Sequence, residues 1–297
     1  MTRPIHTATA RALAQSSAGR ALPTLRAEMA RLNEQLATGL RVNRASDDPT
    51  AFAQGRLLRH LEERLGQYER SIGAARSWVD QTQGALTAAG DLFAQAQEIG
   101  VRGANGVLDR EAFALQIESL RAELVTTLNA TSDGEYLFAG NETSTAPLTA
   151  DGTVAAGDFS GARSRQVAPH IALTVNIPGT DALFVGGTPA PDRLQALADA
   201  LRTGGPTDIA AALDDVEAAS QHYVRLTSQS GDTARRLDAA SDAVAAHAIS
   251  TAARRSDLED VDLASLLGEL QRRQTGLEAA LRVAASAEQT SLMDYLR

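Results

Sequence analysis

Cysteine is absent from the 297 residues, which excludes disulfides, a thiolate nucleophile and any cysteine-based zinc site. Lysine is absent too: all 28 basic residues are arginine, which reads as compositional bias rather than a need for arginine's bidentate fork. Set against 37 acidic residues they leave a net charge of -9, with no basic segment to gather phosphates, so no nucleic-acid partner is expected. Aromatic residues are scarce, at 4%, and the 43% apolar share is carried by Ala and Leu, good helix formers. That composition suits extended helical packing better than a thick globular core. No run approaches the ~20 apolar residues of a membrane span. The N-terminal MTRPIHTATARALAQSSAGRALPTL also lacks the apolar core of about 7 to 15 residues that a cleavable secretory signal needs. A soluble chain is expected, and one exported by a dedicated machine without a cleaved signal has the same pattern.

Chemistry-bearing constellations are as sparse. His6, His60, His170, His222 and His247 are scattered, and no two stand at H-x-x-x-H spacing on a helix, so no metal site is predicted. Asp47 and Asp48 are adjacent carboxylates, but neighbours on a turn point in different directions, which argues against acid–base work. Their structural reading is better: Asp48 as N-cap and Pro49 as the first residue of a helix. Gly179 to Gly187, GTDALFVGG, lacks the Gly-Lys-Ser/Thr ending of a phosphate loop and reads as a β-turn region. Asn129 and Asn141 open glycosylation-like triplets short enough to occur by chance. No catalytic or cofactor-binding residue is assigned, and an enzyme is not expected.

What is present is helical spacing. Leu22, Leu25, Met29, Leu32 and Leu36 lie three and four apart, a stripe that wants a partner helix. Pro23 either opens that helix or kinks a longer one. A second stripe runs from Leu58 through Leu65, Ile72, Val79, Leu86 and Phe93 to Ala96; a helix from Pro49 to about Arg102 would be roughly 80 Å long. Glycines of GANG, Gly103 to Gly106, then suit a helix end, and Asp109 an N-cap for a returning helix with Phe113, Ile117, Leu120, Leu124 and Leu128 on one face. Asp133-Gly134 signals a turn, and Ile171, Leu173, Val175 and Ile177 alternate with other residues as in a strand. Helical pattern returns at Asp192 and, after TGGP, from Thr207 to Arg255 with Ile209, Leu213, Val216 and Val224, disturbed at Gly231. The last stripe comprises Leu263, Leu267, Leu270, Gln274, Leu277, Leu281, Ala284, Glu288, Ser291 and Tyr295.

The expected fold is therefore mainly α with a β-rich insert: a long antiparallel helical bundle or coiled-coil rod built from the N- and C-terminal segments, with a small β domain in the middle. Residues 1–48 and 256–297 form terminal coiled-coil helices, 49–137 and 192–255 a helical rod domain, and 138–191 a β-rich outer domain. The residues expected to carry assembly are Leu25, Met29, Leu32, Leu36, Leu270, Leu277, Leu281, Leu292 and Tyr295, with Asp48 and Pro49 as the helix cap.

Several stretches carry a resemblance. LATGLRVNRASDDP, from Leu36 to Pro49, resembles the N-terminal signature of the bacterial flagellin superfamily. SLMDYLR at the far end, GEYLFAG from Gly134, AAGDFSGARSRQVAPHIALTVNIPG and LLGELQRRQTGLEAAL are similar to its hook-associated members of the hook–filament junction type. Pro49 and the SLMDYLR ending favour the junction type over flagellin, which usually has Ala after the paired aspartates and a different tail. Leu40 leans towards flagellin, the alternative. The resemblance implies a structural block of the extracellular flagellum, exported unfolded without a cleaved signal. Its terminal helices would line an inner tube and order only on assembly. The implied partners are copies of itself, the preceding hook-associated protein, flagellin and an export chaperone; no cofactor is implied.

Overall fold

Apolar side chains recurring every seven residues along two long helices organise the larger part of the fold. The computed structural model describes residues 23–105 and 109–295, with side chains to residue 282. The elements in order are α1 (23–38), α2 (Pro49–Asn105), α3 (Arg110–Leu128), β1 (Thr131–Ser132), β2 (Glu135–Tyr136), β3 (Ser164–Ala168) and β4 (Ile171–Thr174). There follow α4 (Gly179–Leu183), β5 (Phe184–Val185), β6 (Thr188–Pro189), α5 (Ala190–Thr203), α6 (Pro206–Glu259) and α7 (Leu263–Tyr295). The chain is mainly helical, with three two-stranded antiparallel pairs in its middle. It divides into two compact units, Arg64–Ala248 and the combination of Met1–Glu63 with Ile249–Arg297.

Within Arg64–Ala248, α2 buries Leu65, Ile72, Val79, Leu86 and Phe93, and α6 buries Ile209, Val216, Tyr223, Ser230, Leu237 and Val244, each one heptad after the last. An α-helix has 3.6 residues per turn, so a strict seven-residue repeat imposes a left-handed wrap on the pair. The two run antiparallel: Arg76 donates to Asp238 Oδ1 at 2.7 Å and to the Ala234 carbonyl at 3.0 Å, and Phe93 stacks on Tyr223 with centroids 5.5 Å apart. Between the large residues α2 places Ala75, Thr82, Ala89 and Ala96, all buried, which let backbones approach closely. Where α3 and α5 crowd in, even alanine is too large: a Cβ on Gly103 would lie 2.8 Å from Leu201, and 3.4 Å from Phe113. Gly103 is thus a packing residue inside α2, which runs on to Asn105; Gly106, the last residue of the expected glycine cap, lies outside the described residues.

Three local expectations need correction. Asp109 precedes α3 in a left-handed conformation, φ 79°, and its side chain makes no cap bond. Helix α6 passes through Gly231 without a break. Val224 is 60% exposed, because the heptad row that faces the core passes through Tyr223 instead.

The middle segment folds onto the helices. Asp133 and Gly134, with φ of 52° and 82°, make the two-residue turn joining β1 to β2, the conformation that right-twisted hairpins favour. Glu135 holds Arg163 at 2.5 Å, and the same guanidinium lies 4.4 Å over the Trp78 ring. That hydrogen bond holds the Glu135 carboxyl below the usual carboxylate range. Strand β4 ends at Thr174; Val175 and Ile177 beyond it are buried, while Ile171 at its start is exposed. In GTDALFVGG the first five residues are α4, and Gly186-Gly187, both at positive φ, turn β5 into β6. Phe138, Phe159, Ile177 and Leu183 belong to the same apolar cluster as Leu86, Phe93, Leu124, Leu197 and Val216 of the helices. The Tyr223 hydroxyl donates to the Ala182 carbonyl at 2.7 Å inside this cluster, and burial pushes its pKa up.

Candidate assembly surface

The unit formed by the two ends of the chain is built differently, around a thin core among the described residues. Its clustered buried apolar side chains among the described residues are Leu32 of α1 with Leu266 and Leu270 of α7, backed by Val261. Arg273 pairs with Glu28 at 2.7 Å, so α1 and α7 run antiparallel, residue 28 beside 273 and residue 32 beside 266 and 270. The anticipated assembly residues fall on both sides of this seam. Leu32 and Leu270 are inside it, and Leu25, Met29 and Leu277 are half-buried. Leu36 is exposed, Leu281 is 42% exposed, and the side chains of Leu292 and Tyr295 lie outside those described.

Helix α7 carries two rows of leucine. The row through Leu266, Leu270 and Arg273 faces α1, because only that row puts Arg273 opposite Glu28. Leu263 and Leu267, expected on the paired stripe, are 50% and 51% exposed. With Leu281 they form an exposed apolar row on α7 that has no partner among the described residues. A unit with so small a core and so many leucines at its surface is suited to bury them against further helices, at roughly 1.5–3 kcal/mol per fully buried leucine.

The turn between α1 and α2 is ordered by its two aspartates, which do separate jobs. Asp47 Oδ2 accepts the backbone N–H groups of Asn43 at 3.1 Å and Arg44 at 3.0 Å, pinning the loop. Asp48 Oδ1 accepts from the Thr50 and Ala51 amides at 3.1 and 2.9 Å, at the first turn of α2. The Ala51 amide, then Arg41, hold the Asp48 carboxyl below its usual value of 3.8. Its contribution to stability is therefore present above that value and is lost as pH falls through the lower, folded value. Replacing Asp48 by Ala should lower the thermal midpoint of the purified chain, and Asp48→Asn, which also caps, should recover most of it; equal midpoints for Asp48→Ala and wild type would exclude the cap as a source of stability.

That turn is zipped to the turn between α6 and α7. The Arg41 N–H donates to the Glu259 carbonyl at 2.6 Å and the Val261 N–H to the Gly39 carbonyl at 3.0 Å, around a bridge between Leu40 and Asp260. Arg41 Nη2 also donates to the Leu258 carbonyl at 2.6 Å. The Glu259 side chain is buried, with Oε1 accepting from Arg59 Nη2 at 2.9 Å and Oε2 3.7 Å from Arg255. Arg255 in turn donates to Glu62 Oε1 at 3.1 Å. Gly55 opens the space for this carboxylate: a Cβ there would lie 1.7 Å from Glu259 Oε1. Glu259, Gly55, Arg59, Glu62 and Arg255 escaped the sequence reading; the one signal was a glycine inside a helix, where it costs about 1 kcal/mol relative to alanine.

Among the described residues no three His, Asp or Glu side chains gather as a metal site, and no helix is long and apolar enough to cross a membrane. Comparison with known proteins bears on the helices instead. Models of the bacterial flagellin N-terminal and C-terminal helical regions match residues 11–143 and 213–296. Flagellar hook-associated protein 3 of Escherichia coli is 26% identical over 92% of this chain and 94% of its own length. The filament core protein flaB2 of Brachyspira hyodysenteriae is 32% identical, but over 32% of this chain and 33% of its own. Among solved structures, a putative flagellar hook-associated protein from Vibrio parahaemolyticus superposes with a TM-score of 0.67 at 22% identity, covering 72% of this chain and all of that one. The flagellar junction protein FlgL from Legionella pneumophila gives 0.55 at 18% identity, covering 69% and 99%. With both flagellin helical regions matched across most of its length, the chain belongs to the bacterial flagellin superfamily.

Proposed function

We propose that the chain is a structural, non-enzymatic block of the bacterial flagellum that joins the hook-associated zone to the flagellin filament. The observation that carries this reading is the end-to-end similarity to hook-associated protein 3, against a match over only a third of a filament protein. The physical form supports it: among the described residues the end-built unit clusters few buried apolar side chains and leaves a leucine row on α7 exposed. Copies of the chain pack laterally through that row, the preceding hook-associated protein lies on one side and flagellin on the other. Exposed leucines before assembly call for an export chaperone.

Immunogold labelling of intact flagella with an antibody to this chain tests the reading. A single band between hook and filament is expected. Label along the whole filament would instead make the chain a filament subunit.

A further inference from the structure

The Glu259 carboxylate and the Gly55 notch form a clasp at the point where both terminal helices leave the rest of their unit. The main chain of Glu259 holds the turn that follows α1, through Arg41 and Val42 at 2.6 and 3.4 Å, and α7 begins four residues later. Its side chain lies against Gly55 and between Arg59 of α2 and Arg255 of α6. One residue therefore ties the directions of α1 and α7 to the start of α2 and the end of α6. Nothing in the catalogue of local requirements asks for glycine at position 55. It sits in regular helix, it takes no unusual backbone angle, and alanine would favour the helix. The requirement comes only from the carboxylate that occupies the place of its side chain.

We propose that Glu259, seated on Gly55, is the positioning residue that aims α1 and α7 for assembly into the axial structure. The inference rests on the assembly role above. It assigns that role a geometric control distinct from the leucine row: the leucines supply the contact, and the clasp decides where the contact is presented. Glu259 makes no part of the leucine seam itself, since its side chain is enclosed by α2 and α6 residues.

The test uses the full chain in three variants, Gly55→Ala, Glu259→Ala and the double variant, each expressed in a strain lacking the wild-type gene and each purified. Trp78, the only tryptophan, lies in the core of Arg64–Ala248, so its fluorescence melt reports on that unit. Far-UV circular dichroism reads total helix. Each single variant should keep the Trp78 midpoint and the helicity of the wild type, yet reduce hooks bearing filaments at least tenfold by electron microscopy. The double variant should be no worse than either single one, because the methyl group and the carboxylate compete for one space. Normal filament numbers in either single variant, multiplying losses in the double, or a loss of helicity that accounts for the defect would each overturn the proposal. The immunogold position of the wild-type chain is read separately, so a failure of the junction reading is told apart from a failure of the clasp.

Discussion

A chain carrying Leu263→Glu and Leu267→Glu together should fold as the wild type does and fail to seat a filament. Both side chains are half exposed on α7, flanking the Leu32, Leu266 and Leu270 seam. Leucine and glutamate have similar helix propensity, and surface substitutions of this kind usually stay within ~0.5 kcal/mol of wild type. The thermal midpoint of the purified chain is therefore expected to hold. In the assembled state the same two leucines would be buried, at roughly 1.5–3 kcal/mol each. Losing both, and burying charge in their place, weakens each contact by about 3–6 kcal/mol, or a hundredfold to ten-thousandfold. Cells bearing bare hooks, with flagellin soluble in the medium, are the expected outcome by electron microscopy and assay of the medium. Normal filaments would show that the α7 row is ordinary surface.

The second large effect separates two adjacent residues of α6. Tyr223→Ala removes a fully buried ring that stacks on Phe93 and donates to the Ala182 carbonyl. By analogy with other buried aromatic residues this costs about 3–5 kcal/mol. Val224→Ala trims an exposed side chain and should change stability by no more than about 0.5 kcal/mol. Urea unfolding followed by Trp78 fluorescence measures both. Comparable effects from the two substitutions would mean that α6 faces the core in another phase.

This pair of residues also marks how far the sequence could be read. On α2 the stripe through Leu65, Ile72, Val79, Leu86 and Phe93 was legible because large apolar residues recur there at five successive heptad positions, even beside Trp78 and Leu92. On α6 the spacing from Val216 reaches Tyr223 at seven residues and Val224 at eight, and both are apolar. The choice is made by Phe93 and Ala182, which are distant in sequence. The same holds for α7, whose two leucine rows are equivalent until Glu28 meets Arg273. The Asp133-Gly134 turn was legible because turns are local chemistry, and the Asp48 contacts for the same reason. Gly55 and Glu259 were not. A lone helical glycine announces a close approach without naming what approaches, and its partner lies at the other end of the chain.

The seven-residue repeat of α2 and α6 has a mechanical consequence. Helices wrapped in one hand respond unequally to torsion: twist of one sense winds the pair tighter, and twist of the other unwinds it. Tightening would press together a seam in which Phe93 stacks on Tyr223 beside the small buried residues Ala89 and Ala96, and close packing leaves such a seam little room to yield. Unwinding would work instead against the ring stack and the Arg76 bonds to Asp238 and the Ala234 carbonyl. The two senses of rotation thus load different contacts, so reversing the direction of an applied torque would change which of them carry it.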